Sequence, residues 1–328
     1  MTQPHPRVAV VGAGLAGLAC AERLVRGGID VAVFDKGHGA GGRSSTRRAD
    51  ALRFDFGAGC VRARTPGFRA RVEAWEAEGA LARWTAPWVR LEPGGVETAL
   101  PPEPTWVGVP GMSSLIRYAG RGLDVRYGAR VLSLERDAAG WWLALEARRE
   151  GPFAGVVLAL PAPQAQSLVR RQSALRERFE APSFTPTWAA LVRLERPQPL
   201  TWGRALASEG PLEVLSREHT KPGRPESPAW VLQASDPWSE EHVDDAPEEV
   251  GPALLSALEA LCGPLPGATL VSTHRWRFAR ARAPWGLPCA HDAELGFGVC
   301  GDWCVGRDLE AAYLSGSTLG AAWAEASR

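Results

Sequence analysis

Three sets of residues in this sequence have types and spacings that suit chemistry. Gly12, Gly14 and Gly17 stand as G-x-G-x-x-G. In that arrangement one glycine makes a tight turn, the next lets backbone approach a pyrophosphate, and the third lets a helix pack closely on a sheet. The free N–H groups and the dipole at such a helix start favour an anion. Gly12, Ala13, Gly14, Leu15, Ala16 and Gly17 are therefore the predicted pyrophosphate loop. Asp35, with Lys36 beside it, is placed to accept hydrogen bonds from an adenosine ribose. The second set is Gly37, Gly39, Gly41 and Gly42 followed by Arg43. It joins backbone N–H groups to a fork-shaped phosphate donor; a solvated basic loop is the competing reading. The third set is His274-Arg-Trp-Arg-Phe278. Alternation along a strand puts His274, Trp276 and Phe278 on one face and Arg275 and Arg277 on the other. One face could stack a flat ring and the other could pair with carboxylates or phosphates. A core strand with Trp276 packed and the arginines in ion pairs is the competing reading.

The elements that must hold these residues can be read from the apolar pattern. Val8 to Val11 is a short apolar run suited to a buried parallel strand, and a helix runs on through Leu24. Val31 to Phe34 is a second strand, ending at Asp35. Leu52 to Cys60 alternates and then breaks at Gly57 and Gly59, where backbone with Ala58 could pass close to a flat ring. A helix is predicted over 67–84, irregular strands over 85–107, a short helix over 111–119 and a strand meander over 123–147. Another buried strand, 153–160, stops at Pro161 and Pro163. A charged helix is expected over 164–180, strands over 188–194 and 230–234, and a helix over 250–261. Lys221 falls in a loop marked by Pro222, Pro225 and Pro228, and 240–247 reads as a solvated acidic turn. Residues 270–278 and 297–303 are strands, the latter ending in Gly301-Asp302-Trp303. A last helix over 309–323, rich in Ala, Ser and Gly, lets backbone or ligand come near. No second glycine fingerprint follows a later strand, so no separate dinucleotide domain is expected.

At 328 residues the chain has room for about two domains. Its 37 basic and 37 acidic residues give no net charge, and nothing global points to nucleic acid or an anionic membrane. No apolar stretch approaches the roughly 20 residues of a membrane span. The six cysteines form no C-x-x-C pair, so no metal site is expected and reduced thiols in the cytoplasm are the default. A strand beginning at Arg7 leaves no room for a signal peptide.

The opening glycines with Asp35, Gly41-Gly42-Arg43, Asp55-Phe-Gly-Ala and the closing Gly301-Asp302-Trp303 with Glu310-Ala-Ala-Tyr-Leu-Ser-Gly316 occur in that order. Together they resemble the FAD-dependent amine-oxidase superfamily. With His274-Arg-Trp-Arg-Phe-Ala279 they are similar to its renalase-like branch. The resemblance implies an α/β fold: a Rossmann-type FAD-binding domain with a second, mixed α+β substrate domain, as in amine oxidases and p-hydroxybenzoate hydroxylase. It implies a discontinuous FAD domain over 1–66, 109–163 and 270–328, and a substrate domain over 67–108 and 164–269. It further implies non-covalent FAD, although Cys304 lies near the ring site in sequence. Gly12, Gly14 and Gly17 would face the pyrophosphate, Asp35 the ribose, Arg43 a phosphate, and Val131 the adenine through its backbone. Gly301 and Asp302 would face the pyrophosphate and ribityl chain, and Glu310 and Ala311 the flavin ring.

The implied activity is oxidation of a small ring substrate, such as an abnormal dihydronicotinamide dinucleotide isomer, with O2 as the expected acceptor giving H2O2. Two departures weigh against a true amine oxidase. Asp308 stands where that group usually carries an aromatic residue of its amine cage. The sequence has just two lysines, Lys36 and Lys221, and neither is placed near a flavin N5 by its neighbours in sequence. Trp303 could cover the flavin or fill the core. The rival functions are a flavin amine oxidase or desaturase-like enzyme of secondary metabolism, and an FAD-binding protein without turnover. The oligomeric state is not expressed in the sequence.

Overall fold

A computed structural model describes residues 7–169 and 182–328. The chain divides into two compact units. The first runs through Gly42, resumes from Ile116 to Ser183 and again from Ala281 onward; the second comprises Arg43–Leu115 and Phe184–Arg280.

The first unit is built on a six-stranded sheet in the order Asp124–Arg126, Asp30–Phe34, Arg7–Val11, Gly155–Leu158, Phe297–Val299, Ala290–Asp292. All neighbours run parallel except the last pair. Val8, Ala9, Val10 and Val11 are buried, as the unbroken apolar run requires of a strand covered on both faces. The helix Leu15–Arg26 follows at once, and the helix Leu309–Ala326 packs along it. Glycine makes that packing close: a Cβ on Gly316 would lie 1.9 Å from the Ala16 carbonyl oxygen, and one on Gly320 would lie 2.5 Å from that of Cys20. Val131–Asp137, Gly140–Leu145 and Arg149–Phe153 form a separate antiparallel meander. Asp124–Arg126, expected in that meander, instead extends the parallel sheet beside Asp30–Phe34.

The second unit centres on a seven-stranded sheet in the order Thr269–Ala281, Phe184–Arg193, Ala229–Ala234, Leu212–Arg217, Arg204–Ala207, Trp88–Glu92, Val96–Ala99. One face, with Trp188, Ala190, Trp230 and Leu232, buries Leu254 and Leu258 of the helix Pro247–Cys262. The other face presents Ala189, Leu191, Ala229 and Val231 to Leu52, Phe54 and Phe56. Each fully buried Leu or Phe there contributes about 1.5–3 kcal/mol.

Several boundaries differ from expectation. The helix predicted over 67–84 is Pro66–Ala77, after which Leu81–Arg83 pairs as a strand with Thr105–Gly108. Residues 43–66, 109–115 and 270–280, expected in the nucleotide domain, belong to the second unit: Thr269–Ala281 is an edge strand of its large sheet, and Leu52, Phe54 and Phe56 pack on one face of that sheet. Ala162–Val169 is helical; the rest of the helix expected over 164–180 lies outside the described residues.

Candidate functional site

In the first unit the glycine turn and Asp35 are tied together. Ala13 N donates to Asp35 Oδ2 at 2.7 Å and Gly37 N donates to Asp35 Oδ1 at 2.7 Å. Each carboxylate oxygen keeps a lone pair for a further donor. Gly128 N donates to the Gly37 carbonyl and Ala129 N to that of Asp35, each at 2.8 Å. These bonds place the start of the strand that bears Val131 beside the acid. Lys36 is exposed. A Cβ on Gly14 would meet nothing within 4 Å, whereas one on Gly17 would lie 1.9 Å from the Gly12 carbonyl oxygen. Gly42 arches over the same place: its Cβ would lie 3.8 Å from Gly14 Cα. The result is an open cradle at a helix N-terminus, walled by backbone.

The closing stretch joins this unit. Gly301 N donates to Ser315 Oγ at 3.0 Å. Asp302 opens a short 3-10 turn and is buried, as are Glu310 and Ala311 in the first turn of the last helix. Asp308 caps that helix, its Oδ1 accepting from Ala311 N at 3.0 Å. Trp303 is wholly buried and donates its indole N–H to the Leu160 carbonyl at 3.0 Å. Of its two readings, this is core packing. Burial pushes the Cys304 thiol up, which leaves it a poor nucleophile for any covalent link.

In the second unit, Phe56, Gly57 and Ala58 are held from several sides. Trp276 donates its indole N–H to the Phe56 carbonyl at 2.8 Å, Gln233 donates its amide to the Gly57 carbonyl at 2.8 Å, and Ala58 N donates to the Arg43 carbonyl at 2.8 Å. Gly57 has no room for a side chain, since its Cβ would lie 2.0 Å from the Arg43 carbonyl oxygen. The Arg43 guanidinium donates to the Ala279 carbonyl at 3.0 Å, which fixes one of its nitrogens.

The strand Thr269–Ala281 alternates as expected. His274 and Trp276 both pack on Phe56, with ring centroids 5.0 and 5.1 Å away, and Phe278 meets Phe184. Arg275 and Arg277 point the other way and both pair with Asp244. That acid belongs to the stretch expected to be a solvated turn. Burial, and then Arg47, lower the His274 pKa, so the ring is neutral at pH 7.

A cluster of four ionisable residues lies directly before this segment. Lys221 Nζ is 3.1 Å from Asp55 Oδ2 and 2.5 Å from Glu218 Oε1, and Arg224 also pairs with Asp55. All four side chains are at most 1% exposed. Asp55 Oδ1 accepts from Thr46 Oγ1 at 2.6 Å and from Met112 N at 2.9 Å, and Asp55 N donates to Glu218 Oε2 at 3.1 Å. Burial resists ionisation of Asp55, but Lys221 and Arg224 outweigh it and hold its carboxyl below the usual range. For Glu218 burial wins, and its carboxyl is pushed up to about 7. Lys221 does lie in the loop that its proline neighbours mark, but its side chain is turned inward and fully buried. The sequence assigns Asp55 no role within Asp55-Phe-Gly-Ala and does not point to Glu218, Arg224 or Gln233. An acid followed by two bases at three-residue spacing, Glu218, Lys221 and Arg224, was the available signal.

The comparisons with known proteins agree with this geometry. The model of an NAD(P)-binding Rossmann-like domain matches residues 10–73, and that of flavin-containing amine oxidoreductases matches residues 75–318. The chain belongs to the flavin-containing amine oxidoreductases. A zeta-carotene-forming phytoene desaturase of Myxococcus xanthus is 49% identical over 51 residues, which is 16% of this chain and 10% of the desaturase. A 4,4'-diapophytoene desaturase of Staphylococcus aureus is 40% identical over 55 residues, 17% of this chain and 11% of that protein. The chain thus aligns with about a tenth of the length of these curated relatives.

Cyclohexylamine oxidase from Brevibacterium oxydans shares the fold at a TM-score of 0.73 and 14% identity, over 98% of this chain and 99% of that one. A fatty acid isomerase from P. acnes does so at 0.74 and 10%, over 96% and 97%. The amine oxidoreductase described here is an FAD-dependent oxidoreductase, and its first unit fits the cofactor: the cradle is open at Gly14, and the Asp35 oxygens keep acceptor capacity. Among the described residues no three metal-ligating side chains group together, and no helix is long and apolar enough to cross a membrane.

Proposed function

We propose that this amine oxidoreductase is of renalase-like type. It oxidises a small ring substrate that supplies its own electron push, such as a dihydronicotinamide dinucleotide with its hydride at the wrong ring carbon, and O2 then takes the electrons to give H2O2. The observation that carries the reading is Asp308. Where amine oxidases place an aromatic wall of the amine cage, this chain has a carboxylate spent on the Ala311 N–H. FAD, when bound, supplies the two-electron acceptor.

The chain's own residues bind and orient. Gly12, Ala13, Gly14, Leu15, Ala16 and Gly17 offer first-turn N–H groups to the pyrophosphate, and Asp35 accepts from the ribose. Gly42 and Arg43 serve a phosphate, and Val131 serves the adenine through its backbone. Gly301, Asp302, Glu310 and Ala311 serve the ribityl chain and ring, and Gly57 and Ala58 bring bare backbone to the ring. A ring nitrogen that drives hydride loss needs no general base, which suits a His274 that is neutral and packed on Phe56.

One observation favours amine oxidation instead. Lys221, dismissed on sequence, is a buried lysine paired with Asp55, two residues before Gly57. A missing lysine therefore no longer separates the two readings, although the Lys221 ammonium is shared by two carboxylates. Anaerobic titration of the yellow holoenzyme separates them. Bleaching of the flavin by borohydride-treated NAD, with ordinary NADH inert, is the expected result. Bleaching by amines alone would overturn the reading, and no bleaching by either would favour an FAD-binding protein without turnover.

A further inference from the structure

We propose that Arg204 receives an anionic oxygen group of the substrate, a phosphate or a carboxylate, on the sheet face beside Gly59. The inference rests on the reading above, which assigns Gly57 and Ala58 to the flavin ring.

The register fixes which face Arg204 occupies. Arg204 stands opposite Ser216, Ser216 opposite Val231, and Val231 opposite Leu191. Residues directly opposite one another share a face, so Arg204 is on the face that packs against Phe56 and that sends the Gln233 amide to Gly57. Two residues along from Gly57 the chain reaches Gly59. A Cβ there would lie 3.6 Å from Arg204 Nη1 and 3.7 Å from Lys221 Nζ, with the Asp55 carbonyl oxygen next at 3.9 Å. Two cations therefore flank one half-buried point on the chain.

Their charges are not equally answered. Lys221 has Asp55 and Glu218, and Arg224 has Asp55. Arg204 has no carboxylate within ion-pair distance among the described residues. Its Nη1 donates at 3.2 Å to Cys60 Sγ, a weak acceptor, and its buried Nε has no acceptor. The guanidinium lies over the ring of Trp88, its strand neighbour, at 4.7 Å from the centroid. Stacking of this kind holds the plane and leaves the edge donors to a planar or tetrahedral anion. A half-buried guanidinium with most of its donors unanswered is costly unless an acceptor completes it. The cluster below cannot do so, because its two acids already face two cations.

The test uses the holoenzyme under anaerobic conditions and two donors, borohydride-reduced nicotinamide mononucleotide and the corresponding riboside, which lacks the phosphate. Affinity is read from the equilibrium change in tryptophan fluorescence, and inorganic phosphate and benzoate are titrated as non-reducible probes. Wild type is expected to hold the mononucleotide, or benzoate, at least about tenfold tighter than the riboside, as a charge-assisted pair supplies. Preference for the mononucleotide assigns the anion as phosphate, and preference for benzoate assigns it as carboxylate. Arg204→Gln is expected to bring the preference to near one with FAD content intact, and Arg204→Lys to keep part of it. An unchanged preference in Arg204→Gln would overturn the proposal, as would equal affinity for charged and neutral probes in wild type. Should Arg204→Gln fail to fold, Arg204→Lys decides by the same ratio. Anion binding that depends on Arg204 in a protein that neither donor reduces would leave this inference standing and defeat the functional reading.

Discussion

Trp276 holds Phe56 in two ways at once: its indole N–H donates to the Phe56 carbonyl at 2.8 Å, and its ring stacks on the Phe56 ring at 5.1 Å with 24° between planes. A residue that alternation offered as a substrate wall is thereby a brace for the segment Phe56–Ala58. Trp276→Phe keeps an aromatic ring and removes the donor. It is expected to lower stability by about 1 kcal/mol and to weaken FAD binding, checked by the urea midpoint of the apoprotein and by flavin titration.

The glycine turn separates folding from binding. Gly14→Ala places a methyl in open space, so the apoprotein should melt near the wild-type temperature while FAD affinity falls about tenfold, or roughly 1.4 kcal/mol. Gly17→Ala drives a methyl into the Gly12 carbonyl and should destabilise the apoprotein itself by about 1–3 kcal/mol or more. Calorimetric melting of the two apoproteins distinguishes these outcomes.

Glu218 gives stability a pH dependence. Its carboxyl is pushed from 4.5 up to about 7 on folding, so between those values the folded protein holds a proton that the unfolded chain has released. Its contribution is fully present below pH 4.5 and is lost as pH rises through 7, by up to about 3 kcal/mol. Asp55 acts in the opposite direction, and only at lower pH, where its depressed carboxyl protonates. Urea midpoints taken from pH 5 to pH 8 should fall for wild type and stay nearly level for Glu218→Gln.

Asp308 has a measurable duty apart from any substrate. Asp308→Ala removes the acceptor for Ala311 N and is expected to cost about 1 kcal/mol, or roughly 2–4 °C in Tm. Asp308→Asn should be nearly neutral. Thermal melts of both variants check the assignment.

The first strand, its turn and Asp35 were legible in the sequence because their signal is local: a β-branched run, three glycines and an acid at a strand tip. The alternation of His274 to Phe278 was equally local and places the side chains where it said. The loop around Lys221 was legible from Pro222, Pro225 and Pro228, but the burial of its side chain was not, because turn residues say nothing of what a side chain meets. The Lys221 partner Asp55 is 166 residues away, and no periodicity links charges across that distance. The division of the chain was blurred for a related reason. Thr269–Ala281 reads as a strand in isolation, and pairing alone shows which sheet it joins.

The glycine-mediated seat of Leu309–Ala326 on Leu15–Arg26 also sets an order of events during synthesis. The first strand, turn and helix leave the ribosome early, but the helix that covers them is about 300 residues later, which at about 5–20 residues per second is roughly 15–60 s. For that interval Ala16 and Cys20 lack their covering helix, and Gly301 N lacks the Ser315 hydroxyl that it will later meet. Until translation has passed residue 326, the face of the first helix that Gly316 and Gly320 will meet is therefore without its neighbour.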